Sequence, residues 1–114
     1  MTVKQTAGRD NLGKLAPQFA ALNDDVLFGE VWSRESALSL HDRSMITIAC
    51  LMTSGDFPQL KAHFKMGKDH GISKDEAVEI VTHLAFYAGW PKAWSAMALI
   101  KEVYGEWEEQ LDDS

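Results

Sequence analysis

The sequence predicts an all-α protein, a helical bundle of five to six helices, and three observations predict it. No stretch sustains the period-two alternation of a half-buried strand. Apolar residues recur instead at every third or fourth position, as on one face of a helix. The punctuation is helical too, with Pro17, Pro58 and Pro91 suited to helix first turns and Gly55, Gly71 and Gly89 to helix ends. At 114 residues the chain fits a single domain spanning 1–114, and no internal repeat, low-complexity run or long linker divides it.

Taken in order, the first helix is expected over about Leu12–Leu27, with Pro17 either inside it or marking a start. The stretch Phe28–Leu40, holding Gly29, Glu30, Trp32 and Arg34, reads as irregular with room for one helical turn. Asp42 suits the N-cap of a helix over about Arg43–Thr53. Met45, Ile46, Ile48, Ala49, Cys50, Leu51 and Met52 leave that helix almost no polar face, so it reads as buried between neighbours or between subunits. Cys50 within it reads as an inert core thiol.

Asp56 can cap the next helix, about Phe57–His70, in which Phe57, Leu60, Phe64 and Gly67 share a face opposite Lys61, Lys65 and Lys68. His63 lies beside Leu60 and Phe64 and points to the apolar side, while His41 and His70 read as surface residues. Ser73 to Glu76 form a capping box. The helix it opens carries Ala77, Ile80, Val81, Leu84 and Ala88 on one face and ends at Gly89. A last helix from Pro91 buries Ala93, Met97, Ile100 and Tyr104. The acidic tail Glu106–Ser114 is helical in part.

Charge and composition remove several function classes. The chain carries 17 acidic against 11 basic residues, for a net charge of −6, and it has no basic run with which to displace counterions from nucleic acid. No apolar stretch approaches the ~20 residues that span a membrane. The polar segment Met1–Asp10 lacks an apolar signal core, and the single cysteine, Cys50, cannot form an internal disulfide. The expected location is cytoplasmic. Arginine occurs only as Arg9, Arg34 and Arg43, so an anionic small-molecule substrate has few guanidinium groups to meet.

Four segments in order resemble one family. They are Phe28-Gly29-Glu30-Val31-Trp32-Ser33-Arg34, then Leu40 to Ala49 with Arg43 near its head, then Leu60-Lys61-Ala62-His63-Phe64 with Gly71 to Glu76, and finally Phe86-Tyr87-Ala88-Gly89-Trp90-Pro91-Lys92-Ala93. Together they span about Phe28 to Tyr104 and are similar to the carboxymuconolactone decarboxylase family. The resemblance implies the alkylhydroperoxidase-D-like fold, no cofactor, and assembly as a homotrimer or homohexamer. One branch of that superfamily consists of thiol peroxidases that cycle a Cys-x-x-Cys pair, which a chain with one cysteine cannot do. The other branch resembles 4-carboxymuconolactone decarboxylases of aromatic-compound breakdown.

A carboxy-lyase of this kind needs a donor for a developing oxyanion, a proton source, and a cation to orient carboxylates. The resemblance makes His63 the donor and acid, Glu30 its orienting or relaying partner, and Arg43 the carboxylate clamp. Trp32, Tyr87 and Trp90 would wall a pocket for a flat lactone ring. Each residue also has a plainer reading. His63 reads equally as a buried histidine with a satisfied hydrogen bond, Glu30 as a surface glutamate, Arg43 as a partner in a subunit salt bridge, and the aromatic residues as core. The pairs Glu79/His83 and His63/His70 each supply only two ligands, so no metal is expected. Two other readings stand beside the decarboxylase: an enzyme of the same fold acting on another small acid or carbonyl compound, and a non-catalytic oligomeric protein.

Overall fold

The computed structural model describes residues 4–105, so the acidic tail from Glu106 lies outside them. The described residues are all-helical, as expected, with no strand among them. Six α-helices follow one another: α1 (Ala7–Leu12), α2 (Pro17–Ala21), α3 (Leu40–Ser54), α4 (Phe57–Asp69), α5 (Lys74–Ala88) and α6 (Trp90–Ile100). A π-helical segment, Leu22–Val31, extends α2, and a shorter one, Lys101–Gly105, extends α6. The residues form two compact units, one up to Leu40 and the other from His41 onward.

In the N-terminal unit the single helix expected over Leu12–Leu27 is in fact three pieces. α1 stops at Leu12, and Pro17, whose fixed φ and missing N–H suit a first turn, starts α2. The chain then winds as a π-helix, with the Trp32 N–H donating to the Leu27 carbonyl five residues back at 2.8 Å. The segment expected to be irregular from Phe28 is therefore helical as far as Val31.

Asp24 explains how these pieces hold together. Its buried carboxylate accepts the N–H groups of Gly8 at 2.9 Å and Arg9 at 3.0 Å, donors that the first turn of α1 would otherwise leave unsatisfied. A Cβ on Gly8 would lie 2.7 Å from that carboxylate and 2.8 Å from the Ala20 carbonyl, so the approach requires glycine. Arg9 also forks onto Asp25, with nitrogen–oxygen distances of 2.9 and 2.6 Å. Burial by itself would raise the Asp24 carboxyl, but hydrogen bonds from the Asn23 side chain and from the Arg9 and Gly8 N–H groups outweigh it and hold Asp24 below the usual range.

In the second unit Ile48 and Met52 of α3, Leu60 and Phe64 of α4, Ala77 and Val81 of α5, and Ala96 and Ile100 of α6 form one buried core. The sequence rules hold closely here. Ser73 accepts the Glu76 N–H at 3.1 Å, closing the N-terminus of α5. Lys92 at the start of α6 donates to the Thr53 carbonyl at 2.7 Å, placing a cation at the C-terminal end of α3.

Two expectations for α3 need correction. It begins at Leu40, so Asp42 lies within the first turn rather than at the N-cap. Within the single chain Ser44, Ile48 and Met52 are buried, whereas Ile46 is 57 % exposed and Cys50, expected in the core, is exposed. The apolar composition of the helix exceeds what one face can bury, so Cys50 is a surface thiol in this chain.

Candidate functional site

α3 meets α4 at Ser44, Gly67 and His70. Gly67 makes the crossing close, since a Cβ there would lie 3.2 Å from the Ile48 and Ile72 Cδ1 atoms and 3.6 Å from the Ser44 Cβ. His63 stands one turn before Gly67 and His70 one turn after it. Spacings of four and three residues put all three on the same face of the helix.

His63 is half-buried, and its Nδ1 is shielded from solvent. Burial lowers its pKa below 6.5, and the nearby His70 lowers it further. The imidazole is thus kept neutral at physiological pH. Ser44 is fully buried, and its Oγ lies 2.8 Å from Nδ1 of His70. His70, expected at the surface, is drawn partly inward by this bond. His41 is likewise not a plain surface residue: its ring bridges Asp42 and Glu76, each at 2.8 Å.

Arg43 precedes Ser44 on α3 and is half-buried. Arg9 is committed to Asp24 and Asp25. Among the other expected site residues, Glu30 is exposed on the π-helical segment of the N-terminal unit. Trp32, in the same unit, is buried and stacks on Phe28 with ring centroids 5.6 Å apart. Tyr87 is 78 % exposed and Trp90 60 % exposed. Tyr87 lies against the His83 ring, at 5.1 Å between centroids.

Two grooves open on the second unit. One, of about 300 Å³, runs between α5 and α6 and is walled by Ala85, Trp90, Trp94 and Met97. The other, of about 440 Å³, lies between α3 and α5, with an apolar floor of Met45, Ala49, Ile80 and Leu84 and with Glu76, Glu79 and His83 beside it. Trp90 lines the first of these grooves. Glu79 and His83 share the second groove, but among the described residues no group of three or more His, Cys, Asp or Glu is placed to hold a metal ion.

Sequence reasoning passed over Ser44. Its signal was a small polar residue in an otherwise apolar helix, facing a histidine helix that carries a glycine at the contact.

Residues 17–102 match the Carboxymuconolactone decarboxylase family. A 4-carboxymuconolactone decarboxylase from Acinetobacter baylyi is 36 % identical over 95 residues, covering 83 % of this chain and 70 % of that protein.

Proposed function

The chain belongs to the carboxymuconolactone decarboxylase family, and from that premise we propose that it is a cofactor-free carboxy-lyase acting on a carboxylated lactone of the kind its Acinetobacter relative is named for. The observation that carries the reading is His63, a half-buried histidine one turn before the Gly67 contact of α4 with α3, with its Nδ1 shielded from solvent.

The chemistry asks little of a cofactor. The bond between the ring carbon and its carboxylate breaks, carbon dioxide leaves, and the electron pair passes through the ring double bond onto the lactone carbonyl oxygen. A proton then adds to the carbon next to that carbonyl, and the lactone is restored with its double bond shifted. The substrate is its own electron sink, so the protein has to stabilise an oxyanion, deliver a proton and hold carboxylates.

Neutral His63 supplies an N–H donor toward the developing oxyanion without placing a fixed positive charge beside a carboxylate that must lose its own charge. As negative charge builds on the ring, it favours the protonated imidazole, so His63 takes up a proton from solvent water and passes it to the carbon next to the lactone carbonyl, returning to its neutral form. Arg43 offers the planar fork that suits a substrate carboxylate. Trp90 lines the groove between α5 and α6, which neither His63 nor Arg43 lines, so no step is assigned to it. Glu30 and Trp32 belong to the N-terminal unit, and no step is assigned to them.

The test is ultraviolet loss of 4-carboxymuconolactone with purified protein and with His63→Gln. Turnover that falls by roughly 10²–10⁴-fold in the variant, the usual range for a lost acid–base group, supports the reading. No turnover by the correctly folded wild-type chain overturns it.

A further inference from the structure

We propose that Ser44 and His70 form a positioning pair for His63. The buried Ser44 hydroxyl holds the His70 imidazole on the face of α4 that it shares with His63, and from there His70 acts on His63 through space. The inference rests on the reading of His63 given above and extends it to two residues that neither composition nor family likeness singles out.

The first support is burial. Ser44 is 0 % exposed in a helix whose other buried residues, Ile48 and Met52, are apolar. A hydroxyl in that setting loses free energy unless it is hydrogen-bonded. Its bond to His70 Nδ1, at 2.8 Å, joins α3 to the C-terminal end of α4 across 26 residues of sequence. A hydroxyl both donates and accepts, so Ser44 can hold His70 in either protonation state: it donates to a bare Nδ1 and accepts from a protonated one.

The second support is the close crossing. Gly67 lets α3 approach until its own missing Cβ would sit 3.6 Å from the Ser44 Cβ. His63 and His70 flank this glycine on the same side. A like charge nearby disfavours the charged imidazole, and His70 does act on His63 in that sense, after burial.

Several other ionisable groups around α4 have separate commitments. Lys61 pairs with Glu102 at 2.9 Å, and Lys68 donates to the Val103 carbonyl at 3.4 Å, both toward the extension of α6. The Tyr104 hydroxyl from that extension is held by the carbonyls of Ile72, at 3.0 Å, and Phe64, at 3.4 Å. On α3 the charged neighbours of Ser44 are Asp42, which binds His41, and Arg43, the proposed carboxylate clamp. Lys65 and Asp69 on α4 are exposed.

The experiment follows the ring protons of His63 by NMR through a pH titration, in the wild-type chain and in His70→Gln, His70→Lys and Ser44→Ala. The expected result is an upward move of the His63 midpoint in His70→Gln, where the charge is gone, and no such move in His70→Lys, where a charge remains. Ser44→Ala, which releases the His70 ring, moves the midpoint in the same direction as His70→Gln but less. Helical circular dichroism checks that each variant is folded. If Ser44→Ala fails to fold, Ser44→Cys, close in volume and a weaker hydrogen-bonding group, takes its place. An unmoved His63 midpoint in folded His70→Gln overturns the proposal.

Decarboxylation of the lactone is recorded on the same samples. A His63 midpoint that shifts in a chain without lyase activity refutes the proposed reaction and leaves the positioning pair standing. Activity with an unmoved midpoint does the reverse.

Discussion

Nε2 of His41 lies 2.8 Å from Oε1 of Glu76, which ties the first turn of α3 to the first turn of α5. The opposite ring nitrogen lies 2.8 Å from Asp42 Oδ1. Hydrogen bonds to Asp42 and then Glu76 raise the His41 pKa above 6.5, against a smaller opposing effect of burial. A group whose folded pKa is raised stabilises the fold fully below its unfolded pKa, and the contribution disappears as pH rises through the folded value. His41→Gln should therefore lose stability most just below pH 6.5, while the two carboxylates are still ionised, and least in alkaline solution. Urea midpoints of the two proteins across this range measure it. A deficit that is independent of pH would mean that the charge on His41 contributes nothing.

His63 should produce the opposite slope. Its folded pKa lies below 6.5 through burial and then through His70, so the unfolded chain takes up a proton first as the solution is acidified. The stability tied to neutral His63 is complete above 6.5 and is lost as pH falls through its folded pKa. His63→Gln should flatten the acid side of the urea-midpoint profile between those two values. The slopes of His41 and His63 have opposite sign and lie on opposite sides of pH 6.5, so the wild-type profile peaks between them and the single variants assign each limb. An acid limb of unchanged steepness in His63→Gln would show that the histidine is not held neutral.

How much of this was legible depends on how far apart the interacting residues lie. α4 and α5 match their expected bounds because their signals are local: Pro58 in a first turn, Ser73 and Glu76 three residues apart, and apolar residues at helical spacing. The N-terminal unit departs from the expectation because Asp24 acts on Gly8 and Arg9 across 16 and 15 residues. His70 looked like a surface residue at a helix end, and its partner Ser44 is 26 residues away. His63 stands out through the resemblance rather than through its place beside Leu60 and Phe64, which suits a plain core histidine equally well. Cys50 was misplaced because an apolar helix does not say which of its faces a single chain covers.

Gly67→Ala tests the close crossing of α3 and α4. Alanine is favoured over glycine inside a helix by roughly 1 kcal/mol. Against that, the new Cβ would lie 3.2 Å from both the Ile48 and Ile72 Cδ1 atoms. These isoleucines are 0 % and 1 % exposed, so neither methyl has open space to move into. Overpacking costs typically 1–3 kcal/mol, so the net change should be destabilising by about 1 kcal/mol, read as a lower urea midpoint. The Ser44–His70 bond should lengthen as the helices separate. A variant as stable as the wild type would mean that the core yields there.

Gly89→Ala tests the corner between α5 and α6. The backbone there has φ 108° and ψ 148°, in a region that side-chain-bearing residues very rarely enter. A Cβ at this position meets nothing within 4 Å, so any penalty is conformational rather than steric crowding against neighbours. The cost should be on the order of 1–3 kcal/mol. The corner sets the start of α6, and with it Trp90 on the groove between α5 and α6, so tryptophan fluorescence should shift as well. An unchanged melting temperature would show that the corner relaxes freely.

Tyr104→Phe isolates a hydrogen bond without changing packing. The ring is buried, and its hydroxyl donates to the Ile72 carbonyl just beyond α4. Burial is the main reason the phenol is pushed up to about 12, followed by Glu76 and Asp69, so it stays protonated and remains a donor across the physiological range. Phenylalanine keeps the apolar contact but leaves the Ile72 carbonyl without this donor, and an unsatisfied buried acceptor costs about 1–3 kcal/mol. Urea unfolding should show a lower midpoint with an unchanged slope, because the surface exposed on unfolding is the same. The loss should be constant from acid to neutral pH, unlike the losses at His41 and His63. A stability difference that varied with pH over that range would mean that Tyr104 acts through a titrating neighbour instead of through this bond.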